Sequence, residues 1–311
     1  MRYGNILEAI GNTPLVELPR LTPNPNVHIY AKLEGNNPTG SVKDRIAKYM
    51  IDDGEKSGAL KPGQTILEPT SGNTGISLAM IGHYKGYPVK TVMPESVSIE
   101  RRQILEAYGA EVILSPGDLG SNGSIKMALE IHAKHPEYYM PYQYGNEANP
   151  RAHYETTAAE IIRDLPEVDV FMAGQGTGGT LMGNGRRLKE HNPNLKLIAV
   201  VPHPGDLVQG LRSLDDGFIP PIMDVSLLDG KILVASKEAF AMTAILMERE
   251  GIFAGISAGS VVYGAMRQAQ RMESGHIVCL LADGGWKYLS TGLWSDPSVK
   301  DTEGLDNKIW W

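Results

Sequence analysis

Short apolar runs punctuate the chain at residues 29–33, 65–67, 89–93, 112–114, 168–173, 195–201 and 277–282, and amphipathic stretches with a helical period lie between them. Runs of this length alternating with helical patterns predict parallel strands joined by right-handed crossovers, hence an α/β fold. No self-similarity with a period of ~20–50 residues is visible, which argues against a solenoid or propeller. The alternation lapses twice. Residues 144–150 form a polar, turn-rich stretch that reads as a hinge. Residues 203–230, with Pro204, Gly205, Gly217, Pro220 and Pro221, have little periodicity and read as a lid or binding segment.

At 311 residues the chain has room for about two domains, each with its own core. An apolar share of 42% and a charged share of 21% exclude disorder, and the 35 glycines and 20 prolines place a surplus in turns, where functional loops sit. Net charge is −7, and no basic run exceeds a pair such as Arg101-Arg102. Nucleic acid and anionic membrane are therefore poor partners, and a small molecule or a protein is the better expectation. The single cysteine, Cys279, lies in an apolar run and reads as part of a buried strand, which rules out a disulfide framework. No apolar stretch reaches the ~18 residues of a membrane span and residues 1–8 hold no signal-peptide core, so a cytoplasmic protein is expected.

Three loops carry candidate chemistry. The run ending at Ala173 leads into Gly174-Gln175-Gly176-Thr177-Gly178-Gly179-Thr180 and then a helix. Free backbone N–H groups at a positive helix end suit a phosphate monoester, although the same turn also serves a ligand-free connection. Gly174, Gly176 and Gly179 have the spacing of a dinucleotide fingerprint, but the next run ends in Pro202-His203 where an acid should hold the ribose. No Gly-Lys-Ser/Thr follows for a P-loop either. The second loop, Thr70-Ser71-Gly72-Asn73-Thr74-Gly75, opens an apolar helix and offers hydroxyls and amides to a carboxylate, or caps the helix. The third, residues 37–45, sets Lys43 at the start of a helix running to Met50. The helix dipole there lowers the lysine's pKa and favours a nucleophilic amine, the plainer alternative being a solvated lysine.

Together, residues 37–45, 70–75 and 176–180, in this order and spacing, resemble the β-family of pyridoxal-phosphate enzymes, most closely its cysteine synthase branch, and the likeness runs from Gly11 to Gly292. The resemblance implies the tryptophan synthase β-like fold, type II, with two parallel αβα sheet domains and the active site between them. Residues 1–38 and 147–311 would form the larger, phosphate-binding domain, and residues 39–146 the smaller, mobile one. It implies pyridoxal 5′-phosphate as cofactor and a homodimer. Lys43 would anchor the cofactor covalently and act as base, and Asn73 would hydrogen-bond the ring hydroxyl. Gly176, Thr177, Gly178, Gly179 and Thr180 would hold the phosphate. Thr70, Ser71, Asn73, Thr74 and Gln143 would hold the α-carboxylate of an amino-acid substrate.

Where many cysteine synthases carry Pro-Ser-Ser-Gly, this chain has Ala282-Asp283-Gly284-Gly285. The B-type branch is similar to it at residues 255–259, which implies Ser257 at the pyridine nitrogen, with Asp283 as the competing group. Residues 210–220 resemble the actinobacterial B-type branch, which uses O-phosphoserine and takes sulfur from a thiocarboxylated ubiquitin-like carrier protein. Arg212 aligns with that branch's phosphate-reading arginine, and a planar guanidinium matches a phosphate bidentately. A surface ion pair with Asp215 or Asp216 is its alternative role. The implied reaction is β-replacement on O-phosphoserine or O-acetylserine through an α-aminoacrylate, with sulfur from the carrier protein or sulfide. Dehydratase or racemase activity, cystathionine β-synthase activity and an inactive partner-binding module are the alternatives. The apolar end of the chain, residues 304–311 with Trp310 and Trp311, is expected to be docked: on the protein's own surface, at a dimer interface or, as its similarity to the tail of the carrier-dependent branch implies, over the active-site mouth.

Overall fold

The computed structural model describes residues 2–70, 72–206, 208–213 and 217–295. The described strands are β1 (Leu15–Glu17), β2 (Val27–Leu33), β3 (Ile66–Pro69), β4 (Val89–Pro94), β5 (Glu111–Ser115), β6 (Val170–Gly174), β7 (Lys196–Pro202), β8 (Gly230–Val234) and β9 (Gly275–Leu281). They make two sheets. The larger has the order β1-β2-β9-β6-β7-β8, parallel throughout except for β1 against β2. The smaller, β3-β4-β5, is parallel.

Helices cover both faces of each sheet, which is why the strands read as unbroken apolar runs rather than as alternating ones. The helices are α1 (Lys43–Ser57), α2 (Asn73–Lys85), α3 (Ile99–Ala107), α4 (Gly120–Lys134), α5 (Ala148–Ala152), α6 (Ala158–Asp164), α7 (Gly179–His191), α8 (Ser236–Glu250) and α9 (Ile256–Ala269). Along β9, Ile277, Cys279 and Leu281 pack with Leu246 of α8 and Val262 of α9. Val278 and Leu280 point the other way, toward Ile161 of α6 and Leu181 and Leu188 of α7. In the smaller sheet Ile66, Val89 and Met93 meet Ala47, Ile76 and Leu105 of α1 to α3, while Leu67 and Val92 meet Ala128 of α4. The α/β, type II architecture of two αβα layers is thus built by alternate residues of each strand.

All seven apolar runs are strands, with ends displaced by one or two residues, and β1 and β8 join them. Helix α1 continues past Met50 to Ser57, where Gly58 takes the left-handed conformation at φ 76°. The strands of the smaller sheet all fall between residues 66 and 115. The described part of residues 203–230 holds no strand before β8 and one single-turn helix, Val225–Leu227. No described helix is long and apolar enough to cross a membrane. Residues 304–311 and Ser71 lie outside the described residues.

After β9 the chain crosses to the smaller unit as a 3-10 turn, Gly285–Thr291, that lies against α3. Ser98 Oγ donates to the Lys287 carbonyl at 2.9 Å, and Arg101 Nη2 donates to the Tyr288 hydroxyl at 2.9 Å. The Ser290 N–H and hydroxyl donate to Glu100 at 2.7 and 2.9 Å. This strap ties the two sheets together beside the site.

Candidate active site

The carboxyl ends of β3 and β6 and the first turn of α1 open on one cavity of about 340 Å³, where parallel α/β sheets bind their ligands. Lys43, Thr70, Asn73, Thr74, Gln143, Gly176, Thr177, Gly178, Thr180, Arg212, Ser257 and Asp283 all line it. Residues separated by more than 200 positions therefore meet in one chamber. Among the described residues, no group of three or more His, Cys, Asp or Glu side chains is placed to hold a metal ion.

Lys43 is the first residue of α1. Burial pushes its ammonium below the ordinary lysine value, against the pull of Asp283 and Glu34. The depression comes first from desolvation, a cause that the position of Lys43 in the sequence does not reveal. Two residues on, Arg45 is buried and donates to Glu34 through Nε at 2.7 Å and Nη2 at 2.8 Å, and to Glu160 of α6 through Nη1 at 2.7 Å and Nη2 at 2.8 Å. Lys32 completes the cluster with an ion pair to Glu160 at 2.7 Å, so two cations balance two carboxylates. Burial alone would raise the Glu34 carboxyl, but the Arg45 guanidinium holds it down at about 2. This cluster pins the helix that carries Lys43 to the larger sheet.

The glycine-rich turn admits no side chain at its centre. Gly178 caps α7 at φ 91°, and a Cβ on Gly179 would sit 1.9 Å from Asn149 Oδ1. Asn149 Nδ2 instead donates to Thr177 Oγ1 at 3.0 Å and to the Gln143 carbonyl at 2.9 Å. Thr180 Oγ1 lies 3.2 Å from His153 Nε2, at the start of a π-helical turn, His153–Thr157. Burial holds His153 down at about 3, so the ring is neutral. The first N–H groups of α7 have no carbonyl of their own helix to bond, which leaves them for an anion.

A second cradle faces this one. Thr74 Oγ1 donates to Gln143 Oε1 at 2.7 Å, and Gln143 Nε2 donates to the Pro69 carbonyl at 3.1 Å. The backbone is held by Glu68, whose carboxylate accepts from Tyr142 N at 2.7 Å and Gln143 N at 2.9 Å. Tyr142 sits at φ 53°, an uncommon conformation that those bonds fix. Burial pushes the Glu68 carboxyl up to about 8 although both amides donate to it.

Between the cradles, Asn73 Nδ2 donates to Asp283 Oδ2 at 2.7 Å, as does the Tyr288 hydroxyl at 2.7 Å. Asp283 Oδ1 is buried with no hydrogen-bond partner among the described residues. Ser257, in the first turn of α9, is buried on the same wall. At the mouth, the Arg212 guanidinium lies 4.9 Å from the Phe218 ring centroid and 5.5 Å from that of Tyr144, and its Nη2 donates to Asn122 Oδ1 of α4. Its Nη1 is buried with no partner among the described residues, outside which Asp215 and Asp216 lie.

Sequence reasoning missed Arg45, Glu34, Glu160, Asn149, His153 and Lys287 as contributors here. Only Arg45 carried a signal, as a charged residue inside the Lys43 loop.

These groups fit a phosphorylated aldehyde cofactor with an amino acid beside it: a glycine-rich anion turn, an amine of depressed pKa, and a separate amide-and-hydroxyl cradle. A family model described as pyridoxal-phosphate dependent enzyme matches residues 6–283. The chain belongs to the pyridoxal-phosphate dependent enzymes. Its cofactor is pyridoxal 5′-phosphate. This pyridoxal-phosphate enzyme is 43% identical over 301 residues to a cysteine synthase of Staphylococcus aureus (strain Mu50), covering 94% of this chain and 97% of the relative. Among solved structures, O-ureido-L-serine synthase superposes with a TM-score of 0.90 at 39% identity, covering 96% of this chain and 97% of that one. A cysteine synthase of Entamoeba histolytica gives 0.88 at 36%, covering 99% and 96%.

Proposed function

We propose that this enzyme is a cysteine synthase that replaces the phosphate of O-phosphoserine with sulfur, delivered as sulfide or by a thiocarboxylated ubiquitin-like carrier protein. The cysteine synthase reading is supported by the relatives in Staphylococcus and Entamoeba. The choice of O-phosphoserine rests on one observation. Arg212 stands at the cavity mouth, stacked on two aromatic rings, with a buried Nη1 that has no partner among the described residues. A pre-oriented guanidinium gains from a dianionic leaving group what it cannot gain from an acetyl ester.

When bound, the cofactor supplies the electron sink that lets the substrate's Cα–H and Cβ–O bonds break. Gly176, Thr177, Gly178, Gly179 and Thr180 hold its phosphate, Asn73 faces its ring hydroxyl, and Ser257 serves its ring nitrogen. Ser257 is given that last role because it is buried in the cavity wall at the start of α9, with Asp283 Oδ1, unpartnered among the described residues, as the competing group. Thr70, Thr74 and Gln143 bind the α-carboxylate, with Ser71 beside them in sequence. Lys43 Nζ takes the proton from Cα, the phosphate leaves with the Cβ–O electron pair toward Arg212, and a sulfur nucleophile then bonds to Cβ while Nζ returns its proton. Burial keeps the Lys43 amine within reach of the neutral state this requires.

Rates of phosphate or acetate release from O-phosphoserine and O-acetylserine test the proposal, with wild type beside Arg212→Ala. Arg212→Ala is expected to lose roughly 10- to 150-fold on O-phosphoserine, the worth of a charge-assisted hydrogen bond of about 1.5–3 kcal/mol, and little on O-acetylserine. Equal losses on both substrates would refute it.

A further inference from the structure

Lys287 is a second buried lysine beside the cofactor cavity, and nothing in the reaction described above uses it. It is fully excluded from solvent, and its Nζ donates to Asn73 Oδ1 at 2.8 Å and to the Gly40 carbonyl at 3.4 Å. An ammonium carries three donors and no acceptor, so Asn73 must turn its oxygen toward Lys287. Its NH₂ group then faces the opposite way, where one N–H meets Asp283 Oδ2 at 2.7 Å and the other is left for the cavity that Asn73 lines. Held between an ammonium and a carboxylate, the amide is polarised at both ends.

We propose that Lys287 is a positioning residue for the cofactor: it fixes the Asn73 amide so that Asn73 offers a donor, never an acceptor, to the cofactor's ring oxygen. The inference rests on the assignment of Asn73 to that oxygen. The surroundings are built for the task. Asp283 and Asp44 face the ammonium as anions, Arg101 and Lys43 as cations, and burial brings Lys287 down to about 8. The strap delivers it, since the Lys287 carbonyl is itself held by Ser98.

The dissociation constant for pyridoxal 5′-phosphate, measured by equilibrium dialysis on the full chain, tests the idea in Lys287→Met, Lys287→Arg, Asn73→Ala and the double variant Asn73→Ala/Lys287→Met. Lys287→Met is expected to bind the cofactor at least tenfold more weakly and Lys287→Arg, which keeps the donors, to recover most of the loss. Because Lys287 acts through Asn73, the double variant should bind within about twofold of Asn73→Ala alone. Losses that multiply in the double variant, or unchanged affinity in Lys287→Met, would overturn the proposal. If Met at this site unfolds the chain by circular dichroism, Lys287→Gln replaces it. Its amide can donate or accept and no longer dictates the Asn73 orientation, so at least a threefold loss is expected and no loss overturns the idea. Unchanged affinity in Asn73→Ala would instead remove the assignment of Asn73 and this inference with it, whereas a loss there without one at Lys287 removes this inference alone.

Discussion

Replacing Arg45 by methionine should cost stability in a way that depends on pH. The guanidinium makes four hydrogen bonds to Glu34 and Glu160 in a cluster shut off from water. Methionine fills much of the volume but leaves the carboxylates behind. Glu160 retains Lys32 at 2.7 Å, so the stranded charge is that of Glu34. Breaking such a buried pair costs about 3–5 kcal/mol at neutral pH. The sign with pH follows from Glu34. In the wild type its carboxyl is held at about 2 against 4.5 when free, so its contribution of about 3 kcal/mol is present above 4.5 and is lost as pH falls toward 2. Without the guanidinium, burial, the largest single cause, should outweigh the remaining pull of Thr13 and Lys32 and raise Glu34 above 4.5. The variant then loses stability as pH rises and regains it on acidification. Urea unfolding of the holoenzyme at fixed cofactor excess should show the gap between the two proteins narrowing by at least about 1 kcal/mol between pH 7 and pH 4.5. A gap of the same size at both values would show that lost packing, not the stranded charge, sets the cost.

Lys43→Ala should abolish cysteine formation while leaving the circular dichroism spectrum intact, and retained turnover would refute its role as base. Gly179→Ala drives a Cβ into Asn149 Oδ1 and should break the bonds from Asn149 to Thr177 and Gln143. Cofactor affinity should fall at least tenfold, about 1.4 kcal/mol, in a titration of the cofactor-free protein, and unchanged affinity would mean that the turn yields without loss.

The parts of this fold that announce themselves in sequence are those whose cause is local. A strand buried on both faces, such as β9 or β7, needs an unbroken apolar run, and that run is visible. Strand β1, Leu15–Glu17, is too short to make one and is largely exposed, held by its pairing with β2 and by Leu15 against the core. Strand β8 follows a long irregular stretch that hides its start. The site divides the same way. Lys43, the Thr70–Thr74 loop and the turn at residues 176–180 lie in short contiguous segments whose glycines and hydroxyls stand together in the sequence. The Arg45 cluster joins charges 126 positions apart, from Glu34 to Glu160, and Lys287 reaches Asn73 across 214, and no pattern along the chain foretells either meeting. Arg212 could be flagged by its loop, but its stacking on Tyr144 depends on two segments 68 positions apart coming together.

The place of β9 constrains how the molecule can be made. It is the inner strand between β2 and β6, yet it is the last of the described strands to be synthesised. From Leu33 to Gly275 about 240 residues must be translated before β2 finds its parallel partner, which at about 5–20 residues per second is a wait of roughly 12 to 50 seconds. The three strands of the smaller sheet, by contrast, leave the ribosome as one contiguous block and need no later strand to pair with. The smaller sheet can therefore pair fully while β2 still lacks its parallel neighbour, and the chamber between the sheets closes only when translation is almost over.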